Sequence, residues 1–460
     1  MSTPTPGRRS AEPSRTRRLD VTALLAVGLP ALAVLAALLV RPDEAPPADV
    51  GPDETPLTSS TVICPSGSGA VLAATDGEAS GPIRVAQGRR EATTTLGPEQ
   101  PVEIEAGKAP VVLQAADDLA PSLLAGRDGS PLVAPECRPP AFDEWFTGVG
   151  AGAKHTSVLE LVNPDAGPAV VDTLAYGARG LVTESESVLR GVAVPGRSVV
   201  RIDLAERMPR RDELTLHVRT TRGRVTASIV DTYSELGRGP VGTDYLPAQQ
   251  TPTTSNLLLG LPDGRGRRVL LLTNPAETET RATIKVVTDK STFAAVGSKD
   301  VVVPPQSVAR VSISPLLRGR NAKDALGLLV ESADPVTVSA RLFVGGDLTH
   351  LVPAPPITET SAVVPRGAKR LTLAGAATAG TVRVVSRDID GEVVVDERVE
   401  VVPGRGAVLD LRGKAVLVSV STNGPEVMGT VLASGDGDAV LRLRPVVRSG
   451  LVPVVRPGLP

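Results

Sequence analysis

Residues 158–174 read VLELVNPDAGPAVVDTL, and residues 269–286 read VLLLTNPAETETRATIKV. In both, an apolar run stops at Asn-Pro and an alternating run follows. Proline has no N–H to give to a sheet ladder and asparagine turns readily, so the dipeptide closes one strand and the next begins beyond it. A degenerate third version, RLTLAGAA, stands at 370–377. Two more landmarks recur in the same order. One is a Val-Pro turn between strands: GVAVPGRSVVRIDL around Pro195, DVVVPPQSVARVSI around Pro304 and VEVVPGRGAVLDL around Pro403. The other is a closing pair of strands: LTLHVRTTRGRVTASIV, LGLLVESADPVTVSARLF and AVLVSVSTNGPEVMGTVL. A period of about one hundred residues is that of a repeated domain, not of a solenoid turn.

Within each copy the pattern has period two, with the apolar Val199, Ile202 and Leu204 of SVVRIDL separated by polar positions, and TVRVVSRDIDGEVVVDERVEVV predicts a hairpin turning at Asp390-Gly391. The chain has 42 Pro and 45 Gly but only one Trp, three Tyr and four Phe, which suits short Val- and Leu-rich strands joined by turns better than helices. The expected fold is therefore all-β, a tandem array of immunoglobulin-like β-sandwich units. Three copies occupy 142–250, 251–356 and 357–446. A weaker fourth, at 61–141, carries TLGPEQPVEIEAGKAPVVLQAADDLAPSLLAG, which matches the Pro-turn and closing-strand part of the others. The joins are proline-rich, as linkers between beads would be.

The N-terminus reads as a membrane anchor. A basic tail, 1–20, precedes twenty uncharged residues, 21–40, enough to span roughly 30 Å as a helix. Arginines before the span and acids after it place the tail in the cytoplasm and the rest outside. A cleaved signal peptide is the rival, but LLVRPDEAPPADV offers no good small-x-small site; a buried soluble helix is the third reading. Residues 41–60, with five prolines and five acids, form a stiff stalk, and 447–460 a proline-rich tail. In an exported compartment the two cysteines, Cys64 and Cys137, are expected to pair.

Candidate sites are few. His155, His217 and His350 are the histidines; His155 has Ser157 and Glu160 near it, yet no nucleophile elbow is present, and His217 is expected to face solvent. RDIDGEVVVDE and ASGDGDAV stop short of a calcium loop, and GLPDGRGRR lacks the Lys-Ser/Thr of a phosphate loop. Neither a metal nor a cofactor is expected. Phe142, Trp145 and Phe146 gather three aromatics in five residues. They either wedge the joint between the first two units or anchor a partner through an exposed Trp145. Arg442, Arg444 and Arg448 make the C-terminal end locally basic, a possible contact for anionic wall polymer. A net charge of −2 argues against nucleic acid.

The ICP at 63–65, EWFTGVGA leading into LELVNP, and AVPGRSVV together resemble an uncharacterised family of actinobacterial envelope proteins, a domain of unknown function behind a single N-terminal anchor. That resemblance implies no catalytic residue. The sequence thus predicts a non-enzymatic, single-pass membrane protein with its C-terminal domains extracytoplasmic, acting as a scaffold or partner-binding arm of the cell envelope. Its partners would be the membrane and an envelope protein or wall polymer. A carbohydrate or wall-polymer binding module is the alternative, and an envelope hydrolase with a site assembled across domain joints comes third.

Overall fold

The computed structural model describes residues 21–39, 53–129, 132–133, 135–183, 188–234, 242–295, 297–318 and 324–452. The expected basic tail, residue 40 of the expected span, residues 41–52 of the expected stalk and residues 453–460 lie outside the described residues. The chain divides into a compact body, Pro56–Gly450, and a second unit made of Met1–Thr55 with Leu451–Pro460.

The body is all-β. One strand order, repeated four times, organises it. In the last stretch the eight strands in chain order are Glu359–Val363, Ala368–Ala374, Gly380–Arg387, Val393–Val401, Ala407–Leu411, Leu417–Asn423, Met428–Ser434 and Asp438–Arg442. The first, sixth, third and fourth pair in that order in one sheet, and the fifth, second, seventh and eighth in another. Residues 142–250 repeat it: Asp143–Ala151, Arg211–Arg222, Ala169–Gly177 and Val192–Val194 in one row, Ser198–Asp203, His155–Asn163, Thr226–Tyr233 and Gly242–Leu246 in the other. The first stretch has Ser59–Cys64, Val111–Ala116, Gly81–Gln87 and Arg90–Leu96, then Val102–Ile104, Ala70–Thr75 and Leu123–Asp128. Among the described residues no eighth strand flanks Leu123–Asp128. Alternating side chains from the two rows fill a core in each stretch, such as Leu159, Leu161, Leu214, Leu216 and Ile229.

Residues 251–356 follow the same order with one difference. The sixth and seventh strands, expected as a closing pair, are a single strand, Ala325–Val344. Its first part pairs with Thr280–Thr288, from Thr288↔Ala325 to Ala282↔Ser332. Its second pairs with Gly266–Asn274, from Thr273↔Thr337 to Gly266↔Val344. Pro335 falls between the two ladders, where its missing N–H costs nothing.

The Asn-Pro corners have a role beyond ending strands. Asn163 Nδ2 donates to Gly167 O (2.8 Å), Val194 O (3.0 Å) and Pro195 O (3.2 Å), while its Oδ1 accepts from Asp165 N (2.9 Å). Asn274 repeats the set on Thr278 O (2.6 Å), Val303 O (3.2 Å), Pro304 O (3.3 Å) and Ala276 N (3.0 Å). Each buried amide ties the corner after the second strand to the Val-Pro turn. Arg197 and Gln306, at matching places in those turns, adopt left-handed φ of 51° and 47°.

The expected string of beads is not what forms. Leu72, Ala74 and Leu124 of the first stretch pack on Val363, Val416 and Leu417 of the last. The second and third meet through Trp145, Tyr176, Val269, Leu271 and Val308, and the third and fourth through Leu257, Leu259, Val287 and Ala374. Apolar side chains that the sequence reading assigned to separate cores are buried between neighbours instead, so the stretches form one body.

In the other unit a 19-residue helix, Val21–Leu39, contains Pro30 and no charge. Its described side chains run from 25 to 36, with Leu25, Val27, Leu29 and Leu32 exposed. Among the described residues no helix is long and apolar enough to cross a membrane.

Candidate functional site

Closing the first stretch onto the last leaves a cavity of about 760 Å³ within the body. Its walls come from every stretch. They include Leu123–Arg127 and Ser59–Val62 from the first, Thr253, Ser255 and Leu257 from the third, and Ala362, Val363 and Leu441 from the last. The proline-rich joins supply Pro139, Pro140, Pro353, Pro355 and Pro356, and the end of the last stretch Pro445. Prolines give a wall apolar rings and carbonyl acceptors but no N–H, so the lining is largely apolar with a few polar groups. A ligand pocket has that character and roughly that size.

The join 135–140 is held in place covalently and by charge. Cys137 is bonded to Cys64, the last residue of Ser59–Cys64. Ile63 and Arg138 then exchange backbone hydrogen bonds of 2.9 and 3.0 Å. Arg138 forks onto both carboxylate oxygens of Glu144 and onto Ala227 O. Glu136 accepts a bidentate pair from Arg442, 2.7 Å each, while Arg442 Nη1 also donates to Pro353 O (3.1 Å). Arg444 donates to Cys137 O (3.3 Å) and stands 3.8 Å from Glu136.

Burial and these neighbours shift Glu136, Glu144 and Arg444. Burial pushes the Glu136 carboxyl up, but Arg442, Arg444 and Arg138 outweigh it and hold it at about 2. Burial raises Glu144 despite Arg138. Arg444 keeps 30 % of its side chain accessible, yet it lines the cavity and is surrounded by protein. Burial accordingly lowers its pKa against the pull of Glu136.

The aromatic residues singled out in the sequence separate. Phe142 is 63 % exposed and lines the cavity. Phe146 is 1 % exposed and belongs to the core of its own stretch. Trp145 is 5 % exposed, so it is not an exposed partner anchor. Its indole stacks on His217 at 3.9 Å, with Tyr176 beyond, in the joint between the second and third stretches rather than the first and second. His217, expected in solvent, is half-buried there and bonded to Asp143 (2.8 Å). The C-terminal arginines also separate. Arg442 is buried in its ion pair and is not a surface contact for polymer. Arg448 bridges Asp76 (2.7 Å) and Glu359 (3.5 Å), with Asp76 pushed up to about 6 by burial against the pull of Arg448. Arg444 keeps part of its charge turned to the cavity.

A second polar cluster lies between the second and third stretches. Asp231, fully buried, receives His155 Nε2 (2.8 Å) and the Ser157 hydroxyl, and His350 Nε2 lies 3.0 Å from it. Arg341 stands over His155 and forks onto Glu213 (2.6 and 3.0 Å). A hydrolytic triad needs the imidazole between hydroxyl and carboxylate. Here the carboxylate is the hub and Ser157 donates to it directly, so the arrangement cannot activate the serine. His155 and Ser157 stand near one another in the sequence, but the carboxylate they share is Asp231 rather than Glu160, and Asp231 and His350 are far from His155 along the chain. Among the described residues no group of three or more His, Cys, Asp or Glu side chains is placed to hold a metal ion.

A family model described as a family of unknown function, DUF5719, matches residues 105–412. No curated protein matches the chain. The match covers about two thirds of the chain, running from the first stretch into the fourth, and the chain belongs to that family.

Proposed function

We propose that this member of the family is a non-enzymatic binding arm of the cell envelope, anchored by one N-terminal helix, whose four immunoglobulin-like sandwich units enclose a ligand site. The observation that carries this reading is the cavity of about 760 Å³, walled by all four stretches and braced by the Cys64–Cys137 disulfide. Disulfides persist in exported compartments, which supports an extracytoplasmic body. The uncharged Val21–Leu39 helix, with exposed Leu and Val and a basic segment before it in the sequence, supports an anchor with its N-terminus in the cytoplasm. A body of this kind suits an actinobacterial envelope, as the sequence resemblance suggests.

The test is fractionation of cells carrying the full chain, with protease added outside. The expected result is a membrane-bound chain, digestible from outside, whose cysteines resist alkylation until reduced. A chain recovered in the soluble cytoplasmic fraction with free thiols would overturn the location. Steady turnover of a wall or sugar substrate by the purified chain would overturn the non-enzymatic reading.

A further inference from the structure

The cavity carries a more specific reading, which rests on the protein being a binding arm. In the second, third and fourth stretches the seventh strand is covered by an eighth: Gly242–Leu246, Asp347–Leu351 and Asp438–Arg442. In the first, Leu123–Asp128 pairs with Ala70–Thr75 on one side, and among the described residues no strand pairs on the other. That open side borders the cavity, because Leu123, Leu124, Ala125, Gly126 and Arg127 all line it.

The register says which groups are free. Asp76 N donates to Ser122 O, and residue pairs in an antiparallel ladder alternate between bonded and non-bonded. Leu124, Gly126 and Asp128 therefore bond inward, and Leu123, Ala125 and Arg127 turn their backbone N–H and C=O toward the open side. Unpaired strand edges are templates for another strand.

Charge supplies an independent observation. In the cluster at the cavity wall, three guanidiniums, Arg138, Arg442 and Arg444, face two carboxylates, Glu136 and Glu144. Arg138 and Arg442 each hold a carboxylate in a fork, and Arg444 has only a 3.8 Å share of Glu136 and a carbonyl. Arg444, 30 % accessible, shares Glu136 with Arg442, so the cluster holds one cation more than its carboxylates and favours an anionic group from outside.

We propose that the cavity takes an extended acidic peptide of a partner protein, which adds to Leu123–Asp128 as the missing eighth strand and sets a carboxylate on Arg444. A free edge selects a ligand with backbone amides, and Arg444 selects one bearing an acid. Ser59 and the proline carbonyls of the lining give hydroxyl and acceptor partners for such a strand.

The probe is a fluorescein-labelled heptapeptide copying residues 346–352, GDLTHLV, which contains the eighth strand of the third stretch and an acid. Binding to the detergent-purified full chain is followed by fluorescence anisotropy. The expected result is saturable binding that N-methylation of alternate amides weakens at least ~10-fold in one of the two registers. Arg444→Gln should weaken it about tenfold and flatten its salt dependence. The peptide carrying Asn for its Asp should do the same, which tests the charge without touching the protein's fold. Equal binding of both methylated peptides would overturn the strand addition, and indifference to both charge changes would overturn the role of Arg444. Absence of saturable peptide binding, with dodecyl phosphate bound instead in an Arg444-dependent way, would assign the site to an anionic amphiphile and sink the inference. Neither result touches the membrane location, and a cytoplasmic location would leave the peptide result standing.

Discussion

Replacing Asn274 tests whether the corner amides hold the repeat together. The amide is 0 % exposed with three carbonyls around its nitrogen and one N–H on its oxygen. Nδ2 has two hydrogens, so the set amounts to three net bonds, each contributing about 0.5–1.5 kcal/mol. Asn274→Ala should therefore cost roughly 3 kcal/mol, since Val303 O loses its partner in a dry place. Asn274→Asp keeps the shape and the acceptor but sets a carboxylate against three carbonyl oxygens, so it should cost more than alanine. Because Asn163 makes the same four contacts, its variants should match those of Asn274 within about 0.5 kcal/mol. Pulse proteolysis in urea measures the loss, and amide exchange of residues 300–312 shows whether the Val-Pro turn is released. An aspartate variant as stable as the alanine one, or an alanine variant within about 0.5 kcal/mol of the parent, would refute the reasoning.

Trp145→Ala should lose about 3–5 kcal/mol in urea denaturation by opening the joint beside His217, whereas Phe142→Ala should stay within about 0.5 kcal/mol. Reducing the Cys64–Cys137 bond, 73 residues apart, frees a long loop in the unfolded chain. The expected loss is about 4 kcal/mol, visible as a lower melting temperature with reductant and absent in a chain alkylated only at other groups. The folded carboxyl of Glu136 is depressed to about 2, below its unfolded value. Its contribution is fully present above the unfolded pKa of ~4.3 and disappears as pH falls through about 2. Glu136→Gln should accordingly flatten the acid limb of stability between pH 4 and 2, and an unchanged limb would argue against the ion pair with Arg442.

The repeat was legible because its signals are local. Asn-Pro, Val-Pro and period-two alternation each act over a few residues, and strand type follows from them. What those signals omit is who sits opposite. Asn274 reads as a turn former, yet its bonds reach 29 and 30 residues ahead to Val303 and Pro304. The fate of Trp145 was partly readable: beside buried Phe146 in the same strand, it puts an apolar residue on both faces, as a strand covered on both sides does. The charged cluster was not readable. Glu136 and Arg442 are 306 residues apart, and nothing in either neighbourhood names the other. The cavity itself depends on the first stretch lying against the last, a relation that a list of linkers between beads excludes.

The unbroken strand Ala325–Val344 changes what kind of variation the third stretch can absorb. Where the second stretch joins its sixth and seventh strands through a loop around Gly223, an added or lost residue can be taken up locally. Across Ser332–Thr337 there is no loop to take it up. A single deletion there would invert every later position of the strand, turning Ser339 and Arg341 toward the core in place of Val338, Ala340 and Leu342. It would also carry Arg341 away from His155 and Glu213. At that point substitutions are tolerable and changes of length are not, so the spacing of residues there acts as a ruler between two sheets.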